Sequence, residues 1–217
     1  MTTKTLAPRQ ARSRESERKL LKAATEVLGQ HGVDGATIPR IAEHAGLTPG
    51  AIYRRFPDKN ALLETVVQAI LENQDARLRV VLTPVMTQQI PLPVLAEHLI
   101  TSMLLSHRVN AGLLRGLREF ARGHDNVAFK NRITKIERRT LQYVVDLFLQ
   151  HRKQIRHPNP ALAVSFAFMA LSSTLCELTL EVYDVKKWQA FLPKDDKALV
   201  RELKCMFLSY LGIGDRE

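Results

Sequence analysis

The 217-residue sequence contains little that would support catalysis, metal binding or a disulfide. Its two cysteines, Cys176 and Cys205, lie in apolar helical runs without a CxxC partner, so we expect reduced thiols. No glycine-rich phosphate loop, HExxH, GxSxG or dinucleotide fingerprint occurs. The seven histidines lack the spacing that makes two ligands neighbours on one helical face. We therefore expect no enzymatic activity, no cofactor and no metal site.

Long uninterrupted apolar segments are also missing. The most apolar stretch, residues 161–175, is interrupted by serines and is too short for about 30 Å of hydrocarbon. Residues 1–16 carry basic and hydroxyl side chains but no apolar run, which argues against a signal peptide. The sequence therefore predicts a cytoplasmic protein without a membrane helix.

The hydrophobic content bounds the number of domains, whereas the charge alone does not identify a partner. Hydrophobic residues make up 45% of the chain, which is enough for a core in one small and one larger domain. The net charge of +10 favours polyanions, although a membrane surface or an acidic ligand would profit equally. No strand-like alternation is present, so the predicted fold class is all-α. Outside the motif described next, the first predicted helix runs from about 13 or 16 to 30. The others are about 59–78, 95–107, 111–123, 127–151, 160–183 and 196–211, with a break at 84–93.

Residues 37–63 have the capping and turn chemistry of a helix-turn-helix. Thr37 can cap a short first helix, and Gly46 supplies the tight turn that follows it. Thr48 and Pro49 then open a second helix with a hydroxyl cap and a proline at its first position. The alternative interpretation is an ordinary helical hairpin with solvated arginines.

The second helix has the side chains that reading DNA requires. At 100° per residue, Ile52 and Phe56 face inward, which places Gly50 and Arg54 on the opposite stripe. A small residue permits close approach to base edges, and an arginine there can reach O6 and N7 of guanine. The predicted DNA-binding residues are Thr37, Arg40, Thr48, Pro49, Gly50, Tyr53, Arg54, Arg55 and Lys59.

Over about residues 14–65 the chain resembles the N-terminal domain of the TetR family of bacterial transcriptional regulators. The residues that carry the resemblance are Thr37, Ile41, Ala42, Ala45, Gly46, Leu47, Tyr53, Phe56, Lys59, Leu62 and Leu63. The chain departs from the family pattern at two places. Many members have a polar side chain at the position of Pro39. After the tyrosine, members usually have an aromatic or polar residue and a histidine, whereas this chain has Arg54 and Arg55. The resemblance implies phosphate contacts for Tyr53 and Lys59, and major-groove contact for residues 48–55.

The resemblance also implies a domain organisation. It predicts a flexible basic arm at 1–12, a helix-turn-helix domain at 13–60, and a helical effector-binding and dimerisation domain at 61–217. The last two long helices match the helices with which family members form a four-helix dimer interface. Both helices could instead be core, since a central helix of a large domain is also apolar on all sides.

A small-molecule pocket is expected between the helices of the larger domain, although its residues could equally form a close-packed core. Arg118 or Arg122 would orient an anionic amphipathic ligand there. The predicted ligand-binding residues are Leu99, Met103, Leu117, Arg118, Phe120, Arg122, Tyr143, Leu147, Phe166 and Met169. The leading hypothesis is a homodimeric repressor that a small-molecule effector releases from a pseudo-palindromic DNA operator. The alternative is a constitutive DNA-organising protein without an effector.

Overall fold

A computed structural model describes residues 6–180 and 190–213, with side chains from residue 13 onward. All regular elements in these residues are helices, and the predicted all-α fold class is confirmed. The helices are α1 (Leu6–Gly35), α2 (Ile38–Ala45), α3 (Pro49–Tyr53), α4 (Lys59–Val81), α5 (Pro84–Gln89), α6 (Leu92–Val109), α7 (Ala111–Gly123), α8 (Val127–Leu149), α9 (Pro160–Thr179) and α10 (Asp196–Tyr210).

The first helix begins earlier than the sequence analysis predicted. Residues 6–12, which we expected in a flexible arm, form the first two turns of α1. Pro8 lies in the first turn, where its missing N–H costs no hydrogen bond. Near its other end α1 is kinked at Gly32, whose φ of 66° is left-handed. The predicted stop at residues 31–32 thus corresponds to a kink, after which helical structure continues to Gly35.

The predicted break at residues 84–93 contains an additional short helix. Thr83 accepts a hydrogen bond from the backbone N–H of Met86 at 3.4 Å, and Pro84 stands at the first position of α5. This is the same cap-plus-proline arrangement as in the helix-turn-helix motif. The predicted break thus contains α5, and the chain is non-helical at residues 90–91 before α6 begins. The predicted extension of α9 to residue 183 lies beyond the described residues.

The chain divides into two compact units, which differ from the predicted domains. Unit 1 comprises residues up to Glu72 together with Gly112–Ile133, and unit 2 comprises the remainder. The predicted boundary at residue 60 falls inside unit 1. The larger difference is that α7 and the first turns of α8 join the helix-turn-helix instead of the C-terminal helices. Unit 1 has one core, formed by residues of six helices: Leu20, Ala24, Leu28, Ile41, Ile52, Leu62, Leu63, Val66, Leu117, Phe120 and Phe129.

Within unit 1, α7 packs against α1 at a distance that only glycine permits. A β-carbon on Gly112 would overlap the carbonyl oxygen of Gly29, and one on Gly116 would lie 3.0 Å from the side chain of Leu28. The first of these contacts involves backbone, which cannot rotate away as a side chain can. The contact between α1 and α7 therefore depends on Gly112.

A nearly buried carboxylate joins α4 to the α7–α8 turn. Glu64, whose side chain is 15% exposed, accepts hydrogen bonds from Asn126 and Arg132 at 2.7 and 2.9 Å. Its first oxygen also lies 2.7 Å from Nε2 of His124. The His124 ring stacks on Phe120 with 4.6 Å between ring centroids. Charge-assisted bonds from three donors satisfy a carboxylate that would otherwise be costly to bury.

In unit 2, α9 packs its inner face against α6 and α10. The buried positions of this face include Ala163, Ala167, Leu171 and Leu175. α9 has 20 residues and is long and apolar enough to cross a membrane by length and composition alone. The expectation that this segment is too short was therefore wrong. The buried residues of its inner face belong to the core of unit 2, whereas its outer face is exposed.

A second buried carboxylate lies on α4, in unit 2. Asp75 is 4% exposed and receives two hydrogen bonds from Arg79, at 3.0 and 3.1 Å. Thr140 of α8 donates to it at 2.9 Å, and Arg139 forms an ion pair at 2.9 Å. The hydrogen bonds from Arg79, together with those of Thr140 and the charge of Arg139, hold the pKa of Asp75 below its usual value. Asp75 therefore remains charged and bound to α8 at neutral pH.

The glycine contact predicts a position-specific loss of stability. We expect Gly112→Ala to lower the free energy of unfolding by about 1–3 kcal/mol, because the new methyl group meets backbone and α7 must move. Gly123→Ala at the other end of α7 is the matched control, since nothing lies within 4 Å of an added β-carbon there. Urea unfolding followed by circular dichroism measures both. Equal midpoints for the two variants would contradict the close packing of α7 on α1.

Candidate DNA-binding surface

The first helix of the motif has the predicted capping contacts at both ends. Thr37 has extended backbone angles, and its side chain accepts the backbone N–H of Arg40 at 3.4 Å. At the other end Gly46 is left-handed, with φ of 65°, and its N–H bonds to the carbonyl oxygens of Ala42 and Glu43. This conformation favours glycine because it has no β-carbon, so the sharp turn between α2 and α3 depends on this residue.

The second helix, α3, is short and is fixed by its cap and its inner face. The side chain of Thr48 accepts the backbone N–H of Ala51 at 3.3 Å, and Pro49 occupies the first helical position. Ile52 is completely buried, and Phe56 is half-buried against the same core. The predicted inward pair is therefore confirmed, and the opposite side of α3 points to solvent.

The exposed side of α3 has a small residue at its start and donors at its end. An added β-carbon on Gly50 would meet nothing within 4 Å, so the surface above the first turn is open. Tyr53 is 54% exposed, and Arg54 and Arg55 are exposed beside it. Eight of the nine predicted DNA-binding residues are exposed; Lys59 is half-buried. The sequence therefore placed the exposed stripe correctly, while the DNA contacts themselves stay predictions.

Two of the predicted residues also bind the end of α1. Nζ of Lys59 donates to the carbonyl oxygen of Val33 at 3.1 Å, and Nη1 of Arg40 donates to that of Gly35 at 2.8 Å. An ammonium group has three donors and a guanidinium group has five, so each retains donors for a phosphate. Both side chains thus anchor α2 and α4 to α1 without any contact to DNA.

Sequence reasoning missed the polar contacts that hold the motif on α1. Nε2 of His44 lies 2.8 Å from the carboxylate of Glu26, and this contact holds the pKa of Glu26 below its usual value. Arg55 donates to the hydroxyl of Ser13 at 3.4 Å, which connects the end of α3 to the start of α1. These partners are 18 and 42 residues apart in sequence. No local pattern could have identified them.

Residues 20–66 match the family model described as "Bacterial regulatory proteins, tetR family". The match covers α2, α3 and the parts of α1 and α4 that bury the inner face of the motif. Over these residues the chain is similar to the N-terminal domain of the TetR family. Two proteins that the chain resembles are named as HTH-type transcriptional regulators.

Sequence similarity to two individual transcriptional regulators covers about a third of the chain. The chain is 39% identical over 74 residues to the HTH-type transcriptional regulator TtgW of Pseudomonas putida, which is 34% of this chain and 52% of that protein. It is 39% identical over 74 residues to SrpR, also of Pseudomonas putida, 33% of whose length is covered. The match thus spans about half of TtgW and a third of SrpR.

Similarity of fold extends over nearly the whole chain. A TetR-family transcriptional regulator from Mesorhizobium loti superimposes with a TM-score of 0.71 at 20% identity, covering 93% of this chain and 98% of that one. At this identity the comparison shows the fold alone. The C-terminal helices therefore share the fold of that structure, although only 20% of the aligned residues are identical.

The predicted ligand-binding residues are distributed over both units. Leu117, Arg118, Phe120 and Arg122 belong to unit 1, and Leu117 and Phe120 are part of its core. The other six lie in unit 2: Leu99, Met103, Tyr143, Leu147, Phe166 and Met169.

Several of these residues have a structural environment that the prediction did not anticipate. Phe166 and Met169 are 48% and 57% exposed, and Arg122 is exposed as well. Tyr143 donates its hydroxyl proton to the carbonyl oxygen of Leu82 at 2.6 Å, and its ring lies 4.2 Å from the guanidinium carbon of Arg79. A role for these residues in ligand binding stays a prediction.

The exposed stripe predicts that Arg54 determines base preference. With DNA selected from a random pool by the full-length protein, we expect Arg54→Ala to cost about 1–3 kcal/mol and to flatten the preference at one position. Lys59→Ala should weaken all sequences alike and reduce the salt dependence. Filter binding or fluorescence anisotropy at several salt concentrations measures these effects.

Arg77→Ala is the charge-matched control for Arg54. Arg77 is exposed on α4, 18 positions after Lys59 in sequence, and belongs to unit 2. Arg77→Ala should change the affinity for DNA far less than Arg54→Ala and should leave the base preference intact. If Arg54→Ala retained the full base preference, the assignment of Arg54 would be wrong.

Proposed function

We propose that this protein is a sequence-specific transcription repressor that binds a pseudo-palindromic operator as a homodimer and is released by a small-molecule ligand. The observation that carries the proposal is the exposed side of α3, where Gly50, Tyr53 and Arg54 stand opposite the buried Ile52. A glycine allows close approach to base edges, and an arginine and a phenol supply long donors. The net charge of +10 adds sequence-independent attraction to phosphates.

The homodimer is proposed on the outer faces of the last two long helices. On α9, Leu162, Phe166 and Met169 recur at i, i+4 and i+7 and are 48–57% exposed. On α10, Met206 and Tyr210 are 44% and 41% exposed, and the Tyr210 ring lies 5.5 Å from that of Phe166. We call these five residues the α9–α10 face.

Coverage of this face by a second copy would remove its apolar surface from water. Contiguous apolar surface of this kind marks interaction sites on soluble proteins. A closed two-fold dimer brings the same patch of both copies together, so every residue of the face gains a partner. It also provides two copies of α3, which half-sites spaced by about one helical turn of DNA require.

A charge placed in the α9–α10 face should separate the dimer and shorten its footprint. We expect Phe166→Glu to sediment as a monomer at micromolar concentration, because a carboxylate cannot be buried there without a partner. On the selected DNA, the wild-type protein should protect two half-sites of a pseudo-palindrome. Phe166→Glu should lose most of the affinity, since a single α3 contacts a single half-site.

Val109→Glu is the matched control, because Val109 is an exposed apolar residue of α6 outside the α9–α10 face. It should leave both sedimentation and footprint unchanged. A wild-type monomer, or a Phe166→Glu protein that still protects both half-sites, would contradict the dimer. Uniform coating of DNA without a defined footprint would instead favour the DNA-organising alternative.

Release by a ligand requires coupling between ligand binding and operator binding. A tenfold loss of operator affinity corresponds to about 1.4 kcal/mol, and the operator must weaken ligand binding by the same factor. We expect a small amphipathic carboxylic acid to raise the melting temperature of the full-length protein in a thermal-shift screen. Adding it should then lower operator affinity. A compound that stabilises the protein but leaves operator affinity unchanged would contradict regulation by that ligand.

A further inference from the structure

A cysteine and a histidine face each other between α6 and α9 within unit 2. Sγ of Cys176 lies 3.7 Å from Nε2 of His107, which is within hydrogen-bond distance for the larger sulfur atom. Both side chains are partly buried. A thiol beside an imidazole is the combination from which nucleophilic cysteines are built.

The second nitrogen of the histidine fixes the direction of the contact. Nδ1 of His107 lies 2.8 Å from the carbonyl oxygen of Met103. A carbonyl oxygen can only accept, so Nδ1 carries the hydrogen. In the neutral ring Nε2 therefore presents its lone pair, and the only proton available for the 3.7 Å contact is that of the Cys176 thiol.

The other cysteine provides a contrast within the same unit. Cys205 on α10 is exposed, and its sulfur lies 3.9 Å from the hydroxyl of Ser209. A hydroxyl group is a far weaker base than an imidazole and does not take up a thiol proton at neutral pH. Because Cys205 is the more exposed thiol, exposure alone would favour reaction at Cys205. The neighbouring imidazole favours reaction at Cys176 instead.

We propose that Cys176 is a modification site for soft electrophiles of the α,β-unsaturated carbonyl class, with His107 as its base. Nε2 of His107 takes the thiol proton, and a lone pair of the thiolate sulfur forms a bond to the β-carbon of the electrophile. The π pair of the carbon–carbon double bond moves to the α-carbon, which then receives the proton from His107. The addition needs no oxidant or further reactant, and the imidazole is returned to its neutral form.

Charged residues are the sequence neighbours of both His107 and Cys176. Next to His107 in sequence, Arg108 of α6 forms a 3.0 Å ion pair with Asp196 of α10. Next to Cys176 in sequence is Glu177 of α9. The Arg108–Asp196 pair carries no net charge, so within the Cys176–His107 pair itself the imidazole is the basic group beside the thiol.

The proposal is tested with N-ethylmaleimide, a small α,β-unsaturated carbonyl compound. Full-length protein is treated with a limiting amount at pH 6, 7 and 8, and the adduct on each cysteine is quantified by mass spectrometry after digestion. We expect the ratio of the Cys176 rate to the Cys205 rate to rise about tenfold from pH 8 to pH 6, because the imidazole keeps the thiolate available as the pH falls.

His107→Gln separates the base from a merely structural contact. Glutamine retains polar atoms at this position but cannot take up a proton, so the ratio should become independent of pH. Cys176→Ser confirms the assignment of the modified peptide. A wild-type ratio that is constant with pH, an unreactive Cys176, or an unchanged pH profile in His107→Gln would each overturn the proposal. The wild-type measurement decides the matter even if the variant is poorly folded.

Discussion

The close contact of α7 with α1 is the constraint on which the arrangement of unit 1 depends. Because Gly112 has no side chain, its backbone meets the carbonyl oxygen of Gly29, and the apolar face of α7 enters the core beneath the DNA-binding motif. Leu117 and Phe120 then share a core with Ile52, the buried residue of α3. Residues 112–133, which follow the motif by about fifty positions, are thus part of the body that carries the candidate DNA-binding surface.

The carboxylate of Glu64 strengthens this arrangement through polar contacts that depend on the same packing. Its three partners come from the turn after α7 and from α8, so they reach Glu64 only because α7 is already in place. Hydrogen bonds to a charged group contribute about 1.5–3 kcal/mol each, and a carboxylate left with fewer donors would carry the cost of its burial. The apolar contact and the polar cluster therefore favour the same position of α7 and α8.

The sequence predicted the parts of the structure whose causes are local. Thr37, Gly46 and Thr48 act through hydrogen bonds to residues three or four positions away, and the inward direction of Ile52 follows from helical spacing alone. Phe120 shows the limit of this reasoning, since its spacing predicts an inward face but not which core that face enters. The partners of Glu64, which are 60 to 68 residues distant, depend on tertiary packing and leave no local pattern.

The chain passes between the two units at three places, and two of these lie inside helices. The crossings follow Glu72 in α4 and Ile133 in α8, and the third precedes Gly112 at the start of α7. The backbone hydrogen bonds of α4 and α8 continue through these positions, and both helices extend into unit 1. There, both helices are joined through Glu64, and loss of one charge-assisted bond costs about as much as the 1.4 kcal/mol that separates a tenfold difference in affinity. The contacts of Glu64 are therefore comparable in size to a tenfold change in an equilibrium constant, and they act inside unit 1, whose core also buries Ile52 of α3.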